Sequence, residues 1–150
     1  MKATELLTPD LIKLELVANS KEEALNELVD VLAEADKLNS RDQFYQTILD
    51  REESSSTGVG HGVAIPHGKS EAVKEPALVF GKSDTGIDFD SRDGEPAKIF
   101  FMIAVPEKSS QEHLKILSGL SRKLMHDDFR QALLGADKAE QVLEVLNEHE

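Results

Sequence analysis

The chain has 150 residues, a formal net charge of −12 and no cysteine. That length supports one domain, 1–150, with a core of its own. The missing cysteine excludes disulfides, thiolate metal sites and a cysteine nucleophile, and the acidic balance opposes nucleic acid and anionic lipid while suiting a basic protein partner.

The opening residues lack the apolar core of a signal peptide. The longest apolar run, Ile99 to Val105, falls far short of the roughly 20 residues that span a bilayer, so a cytoplasmic protein is expected. Ile12, Leu14 and Leu16 alternate with Lys13 and Glu15 as in a half-buried strand. Ser20 and Glu23 have capping-box spacing ahead of Ala24, Leu25, Leu28, Val29 and Leu32, which predicts a helix to about Glu34. Ser40 and Gln43 repeat the signal before Phe44, Tyr45, Ile48 and Leu49, for a second helix ending near Arg51 to Glu53.

Ser54 to Gly62 is rich in serine and glycine and reads as a loop, and Val63 to Ile65 as a short strand stopped by Pro66. "ALVFG" (77–81) and "KIFFMIAV" (98–105) read as strands, the second continuous enough to be buried on both faces. The turn-rich 84–96 between them has room for an edge strand at Ile87 to Phe89. Ser109 and Glu112 make a third capping box, opening a helix with Leu114, Leu117, Leu120 and Leu124 on one face. A helix around Phe129 to Leu134 follows, then one capped by Asp137 and carrying Val142, Leu143 and Leu146. Strands interleaved with helices on this scale imply an α/β domain, a sheet covered on both faces.

"GVGHGVAIPHGK" (58–69) concentrates the chemistry. "HGKS" resembles the end of a P-loop, but Val63 stands where the first glycine belongs, and the spacing of Gly58, Gly60 and Gly62 is not that of a dinucleotide fingerprint. His61 and His67 are not a helical ligand pair, and no carboxylate lies in the motif, so no metal is expected. His126 and His149 read as surface residues. A neutral imidazole can attack phosphorus, and His67 has what such a nucleophile needs: Pro66 stiffens the backbone before it, and Gly68 after it admits a partner and offers an N–H. A phosphoryl dianion calls for stabilisers. The candidates are Arg51, the amides of Ser56, Thr57, Gly58 and Gly60, the Ser56 and Thr57 hydroxyls, and His113 near a helix N-terminus. On position alone, His67 also reads as a hydrogen-bonded structural residue, Arg51 as a complement to its helix dipole and His113 as part of an apolar stripe.

"STGVGHGVAIPHGK", with Arg51 upstream and "DGEPAKIFFMIAVPEKSSQEHLKILSGLSRKL" downstream, closely resembles the mannitol/fructose-type EIIA domain of the bacterial phosphoenolpyruvate-dependent sugar phosphotransferase system, over nearly the whole chain. The resemblance implies a three-layer α/β/α sandwich on a mixed sheet, and no cofactor. It further implies that His67 accepts a phosphoryl group from HPr, through Nε2, and passes it to a cysteine of an EIIB component, with His113 as auxiliary histidine and Arg51 as the family's arginine. With no cysteine and no spanning segment, the chain is expected to be a freestanding phosphocarrier or the EIIA part of a longer polypeptide. The fructose branch fits best. The alternative is a regulatory EIIA of the nitrogen-related branch, whose members more often carry Asn where His61 stands. An output domain of a transcription regulator would need DNA-binding parts not seen in this sequence.

Overall fold

The computed structural model describes residues 2–109 and 111–148, so His149 lies outside the described residues. Helix α1 (Ala3–Leu6) and a 3-10 turn (Pro9–Leu11) precede strand β1 (Ile12–Lys13) and helices α2 (Lys21–Glu34) and α3 (Arg41–Ser54). Strands β2 (Gly58–Gly60), β3 (Val63–Ala64), β4 (His67–Ser70), β5 (Ala77–Ile87) and β6 (Ala97–Pro106) follow, then helices α4 (Glu112–Lys123), α5 (Asp127–Leu134) and α6 (Ala139–Glu148).

Two capping signals act as their spacing predicts. Ser20 Oγ accepts the Glu23 N–H at 3.2 Å and Ser40 Oγ accepts the Gln43 N–H at 3.3 Å, each cap contributing about 1 kcal/mol. The cap expected at Ser109 is not used. Helix α4 starts behind Gln111 without a side-chain cap bond, because Ser109 is still in the turn that leaves β6, its N–H donating to Pro106 O. Ahead of α6, Gln141 Oε1 reaches back to accept the N–H groups of Asp137 and Lys138, the reciprocal half of a capping box.

The sheet is built on the antiparallel pair β5/β6, in register from Ala77 opposite Ala104 to Lys82 opposite Ile99, with a shift before Ile87 opposite Ala97. β1 runs parallel to β5. The other edge of β6 is shared by two parallel strands, β3 opposite Ile99 and Phe100 and β4 opposite Ile103 to Pro106. β2 adds antiparallel to β3, making six strands of mixed direction.

Side-chain alternation sets the layers. A Cβ at Gly81 would lie 2.8 Å from Leu28 of α2, whereas the next residue, Lys82, is buried toward α5 and donates its ammonium to the carbonyls of Leu134 (3.0 Å) and Ala136 (2.6 Å). Successive residues of a strand face opposite sides, so α2 and α5 cover opposite faces of an α/β/α sandwich. On the α5 face Phe80 and Phe101 meet edge to face, ring centroids 5.2 Å apart.

The strand expected over 12–16 is cut to Ile12–Lys13. Leu16 still donates its N–H to Lys82 O at 2.8 Å, and just beyond it the N–H groups of Val17 and Ala18 turn to the buried carboxylate of Glu27 on α2, at 3.0 Å each to the nearer oxygen. The segment 54–62 is not wholly a loop, since Gly58–Gly60 pairs with β3, and the edge strand placed at Ile87 to Phe89 is partly absorbed into β5, which ends at Ile87.

Candidate functional site

Pro66 separates β3 from β4 while its carbonyl stays in the sheet, accepting the Ile103 N–H at 3.0 Å. His67 follows as the first residue of β4, half-buried, with Nδ1 2.9 Å from Ile65 O. A carbonyl oxygen only accepts, so Nδ1 carries the proton and Nε2 keeps the lone pair. The hydrogen bond both orients the ring and selects the nitrogen whose lone pair is left unengaged by it.

Gly68 packs against α3: a Cβ there would stand 3.2 Å from both Ile48 Cδ1 and Thr47 Cγ2. By strand alternation His67 therefore turns to the opposite face, the one α4 and α5 cover. Lys69 Nζ donates to Ser109 O at 3.4 Å, tying β4 to the turn that leads into α4, where His113 is the second residue and half-buried. Arg51 lies in the last turn of α3, and its Nη1 donates to Ser55 O at 2.9 Å, closing the end of its own helix. Arg51 thus spends its Nη1 hydrogen bonds on Ser55 and the His67 ring spends its Nδ1–H on Ile65, so the guanidinium rests away from the imidazole.

The connection 55–62 is held from several sides. Ser56 donates its hydroxyl to Phe89 O at 2.7 Å and accepts the Gly58 N–H at 3.0 Å. Thr57 is buried, its hydroxyl donating to Glu52 Oε2 at 2.5 Å and its N–H to Glu52 Oε1 at 3.0 Å. Both hydroxyls thus have partners within the fold. Gly58 is required by close approach, because a Cβ would come within 2.5 Å of Ser91 Oγ. Gly60, His61 and Gly62 have φ of 98°, 57° and 77°, three left-handed residues in succession. A left-handed non-glycine costs about 1 kcal/mol, and His61 is held there by its N–H donating to Asp93 Oδ2 at 2.9 Å. That N–H, with a second from Glu95, keeps the Asp93 carboxyl below the usual carboxylate range.

Sequence reasoning missed Glu52 and Lys21. Glu52 is a buried acid whose carboxylate takes both Thr57 donors and also lies 3.1 Å from Lys21 Nζ at the start of α2. Lys21 in turn sits 4.7 Å above the Phe89 ring and 3.7 Å from Asp90 Oδ2, which ties the loop after β5 to the same point. In "REES" this acid looks like one more solvated charge at a helix end; the i, i+5 Glu/Thr pair was the available signal, and it has meaning only once the chain after α3 is seen to fold back. Among the described residues there is no group of three or more His, Asp or Glu side chains that could hold a metal ion, and no helix long and apolar enough to cross a membrane.

A family model described as phosphoenolpyruvate-dependent sugar phosphotransferase system, EIIA 2, matches residues 5–149. The chain is 45% identical over 150 residues to the PTS system fructose-specific EIIABC component of Bacillus subtilis, an alignment covering 100% of this chain and only 24% of that protein. It is 46% identical over 143 residues to the PTS system fructose-specific EIIA component of Haloferax volcanii, covering 95% of this chain and 93% of that one. Among solved structures, nitrogen regulatory protein IIA-Ntr from Neisseria meningitidis superposes with a TM-score of 0.89 at 34% identity, over 95% of this chain and 97% of that one.

Proposed function

From the premise that the chain belongs to the EIIA 2 family of the phosphoenolpyruvate-dependent sugar phosphotransferase system, and so is a phosphocarrier, we propose that His67 is its phosphorylated residue and that it serves a fructose-type permease from the cytoplasm. The observation that carries the assignment is the Nδ1–H bond to Ile65, which leaves Nε2 as the free nucleophile. In loading, Nε2 forms a bond to phosphorus as the bond to the histidine of phospho-HPr breaks. In discharge, a cysteine thiolate of EIIB forms the new bond to phosphorus and the P–Nε2 bond breaks, returning the lone pair to the ring.

Stabilisation of the dianion comes from three sources. Arg51 swings its Nη1 from Ser55 toward the phosphoryl group, His113 supplies a ring donor from the start of α4, and the backbone around Gly58, Gly60 and Gly68 supplies amides, the bare sides of Gly58 and Gly68 being taken up by packing against Ser91 and α3. Ser56 and Thr57 act by shaping the loop through Phe89 and Glu52. Val59 on β2 and Leu114 beside His113, both exposed, offer apolar surface to the docking proteins.

The fructose reading is supported by the two fructose-specific relatives, one of which carries A, B and C parts in one chain. A regulatory role is the second reading, supported by the fold match to the nitrogen regulatory protein. The two separate in one assay. Incubation with phosphoenolpyruvate, Enzyme I and HPr should add one acid-labile, base-stable phosphate, which should discharge within seconds onto a fructose-type EIIB. A protein that loads but keeps its phosphate against every sugar-branch EIIB is a regulator.

A further inference from the structure

We propose that Glu52 is the positioning residue of this site: through Thr57 and Ile65 its carboxylate fixes the His67 ring with Nε2 outward. The inference rests on the phosphocarrier reading and adds to it a residue that touches no phosphoryl group.

The links form an unbroken series. Glu52 accepts the Thr57 N–H at 3.0 Å and its hydroxyl at 2.5 Å. Thr57 O accepts the Ile65 N–H at 3.0 Å, and Ile65 O accepts the His67 Nδ1–H at 2.9 Å. Every residue in the series before His67 is buried: Glu52 is 8% exposed, Thr57 4% and Ile65 2%. A buried carboxylate persists only with partners, and here three donors satisfy it: the two of Thr57 and the Lys21 ammonium at 3.1 Å. The arrangement is more than a helix-end cap, because Thr57 also bonds Ile65 in the β3–β4 connection, two residues ahead of the nucleophile.

The same carboxylate also bears on Arg51. Arg51 Nη1 donates to the carbonyl of Ser55, which lies between Glu52 and Thr57 in the chain. Pinning Thr57 therefore limits where Ser55 can stand, and with it the resting position of the guanidinium. Which imidazole nitrogen carries the proton is decided by the partner of the other one, so loosening Ile65 O releases both ring angle and tautomer. A displacement of about 1 Å at a reacting atom costs on the order of a hundred-fold in rate.

The test uses the full chain loaded from phospho-HPr, with ring-nitrogen NMR of His67 beside the kinetics. Glu52→Gln should lower the maximal loading rate about ten- to a hundred-fold with KM for phospho-HPr held, and should shift the unphosphorylated ring from the Nδ1–H tautomer toward a mixture. Thr57→Val removes the hydroxyl alone and keeps the fold safe should Glu52→Gln fail to fold; it should move the same two readings less far, and Thr57→Ser should restore them. An unchanged tautomer in folded Glu52→Gln and Thr57→Val overturns the proposal, as does a change in KM alone. Wild-type protein that never loads at His67 would instead refute the phosphocarrier assignment of that residue, so the two failures are distinct.

Discussion

The two edges of β6 are built on opposite plans. Toward β5 it has a ladder continuous over six residue pairs, with large aromatic side chains beneath it; toward β3 and β4 it has two short pieces interrupted at Ile65 and Pro66. The regular edge holds the fold, and the interrupted edge frees a carbonyl that orients the ring proposed above to carry the phosphoryl group. The interruption is tolerable because side chains replace the lost ladder: the Ile65 carbonyl takes the His67 ring N–H, and the approach to it is fastened by Glu52. Strand regularity and reactivity are thus separated across the width of a single strand.

The sharpest way to test that division is to remove one side chain from each edge. His67→Ala should abolish phosphorylation entirely while the thermal unfolding midpoint stays close to wild type; any acid-labile phosphate acquired by this variant would move the chemistry off the interrupted edge. Phe101→Ala on the regular edge should do the reverse, losing about 3–5 kcal/mol in a denaturant titration while the folded fraction still loads at a near-normal rate. Slow loading per folded molecule would mean that the two edges are coupled and not divided.

Smaller effects are expected from Arg51 and His113, the groups proposed to contact the transferred dianion. Arg51→Ala or His113→Ala should slow transfer about ten- to a thousand-fold without unfolding the protein. His113→Ala should weaken discharge to EIIB more than loading, as single-turnover rates in both directions will show; equal rates to wild type would make that histidine a packing residue. The smallest effect concerns the turn at His61. Because the folded state lowers the Asp93 pKa, its ionised form adds stability that is complete above the ordinary carboxylate range, about 3.9, and is lost as pH falls through the lowered value. Below about pH 4 the wild-type midpoint should therefore drop more steeply than that of Asp93→Asn. Parallel curves would show that the turn keeps its shape without that carboxylate.

What the sequence made legible was what depends on near neighbours. Ser20 and Ser40 cap their helices from within one turn, Val63 to Pro66 reads as a strand and its stop, and the run over β6 announces burial on both faces. Departures occur where a distant side chain captures backbone donors. Glu27 captures the N–H groups of Val17 and Ala18 just past the expected strand, and Glu52 takes Thr57, turning a serine-rich stretch that reads as loose into one with a buried anchor. Ser109 fails as a cap because the turn after β6 claims it first. At the candidate site, Pro66 and Gly68 singled out His67 for the proposed role, whereas the partner that selects its tautomer is a main-chain carbonyl two residues back, which no side-chain pattern reveals.

The burial of Lys82 gives the molecule a built-in reporter. Its ammonium is spent on the carbonyls that end α5, shielded from bulk water, while most other lysines lie at the surface. An amine-acylating reagent reacts with it readily only when the end of α5 lifts and the two carbonyls release the ammonium. The rate at which that one lysine is modified therefore counts openings of the C-terminal layer, independently of anything that happens at the histidine.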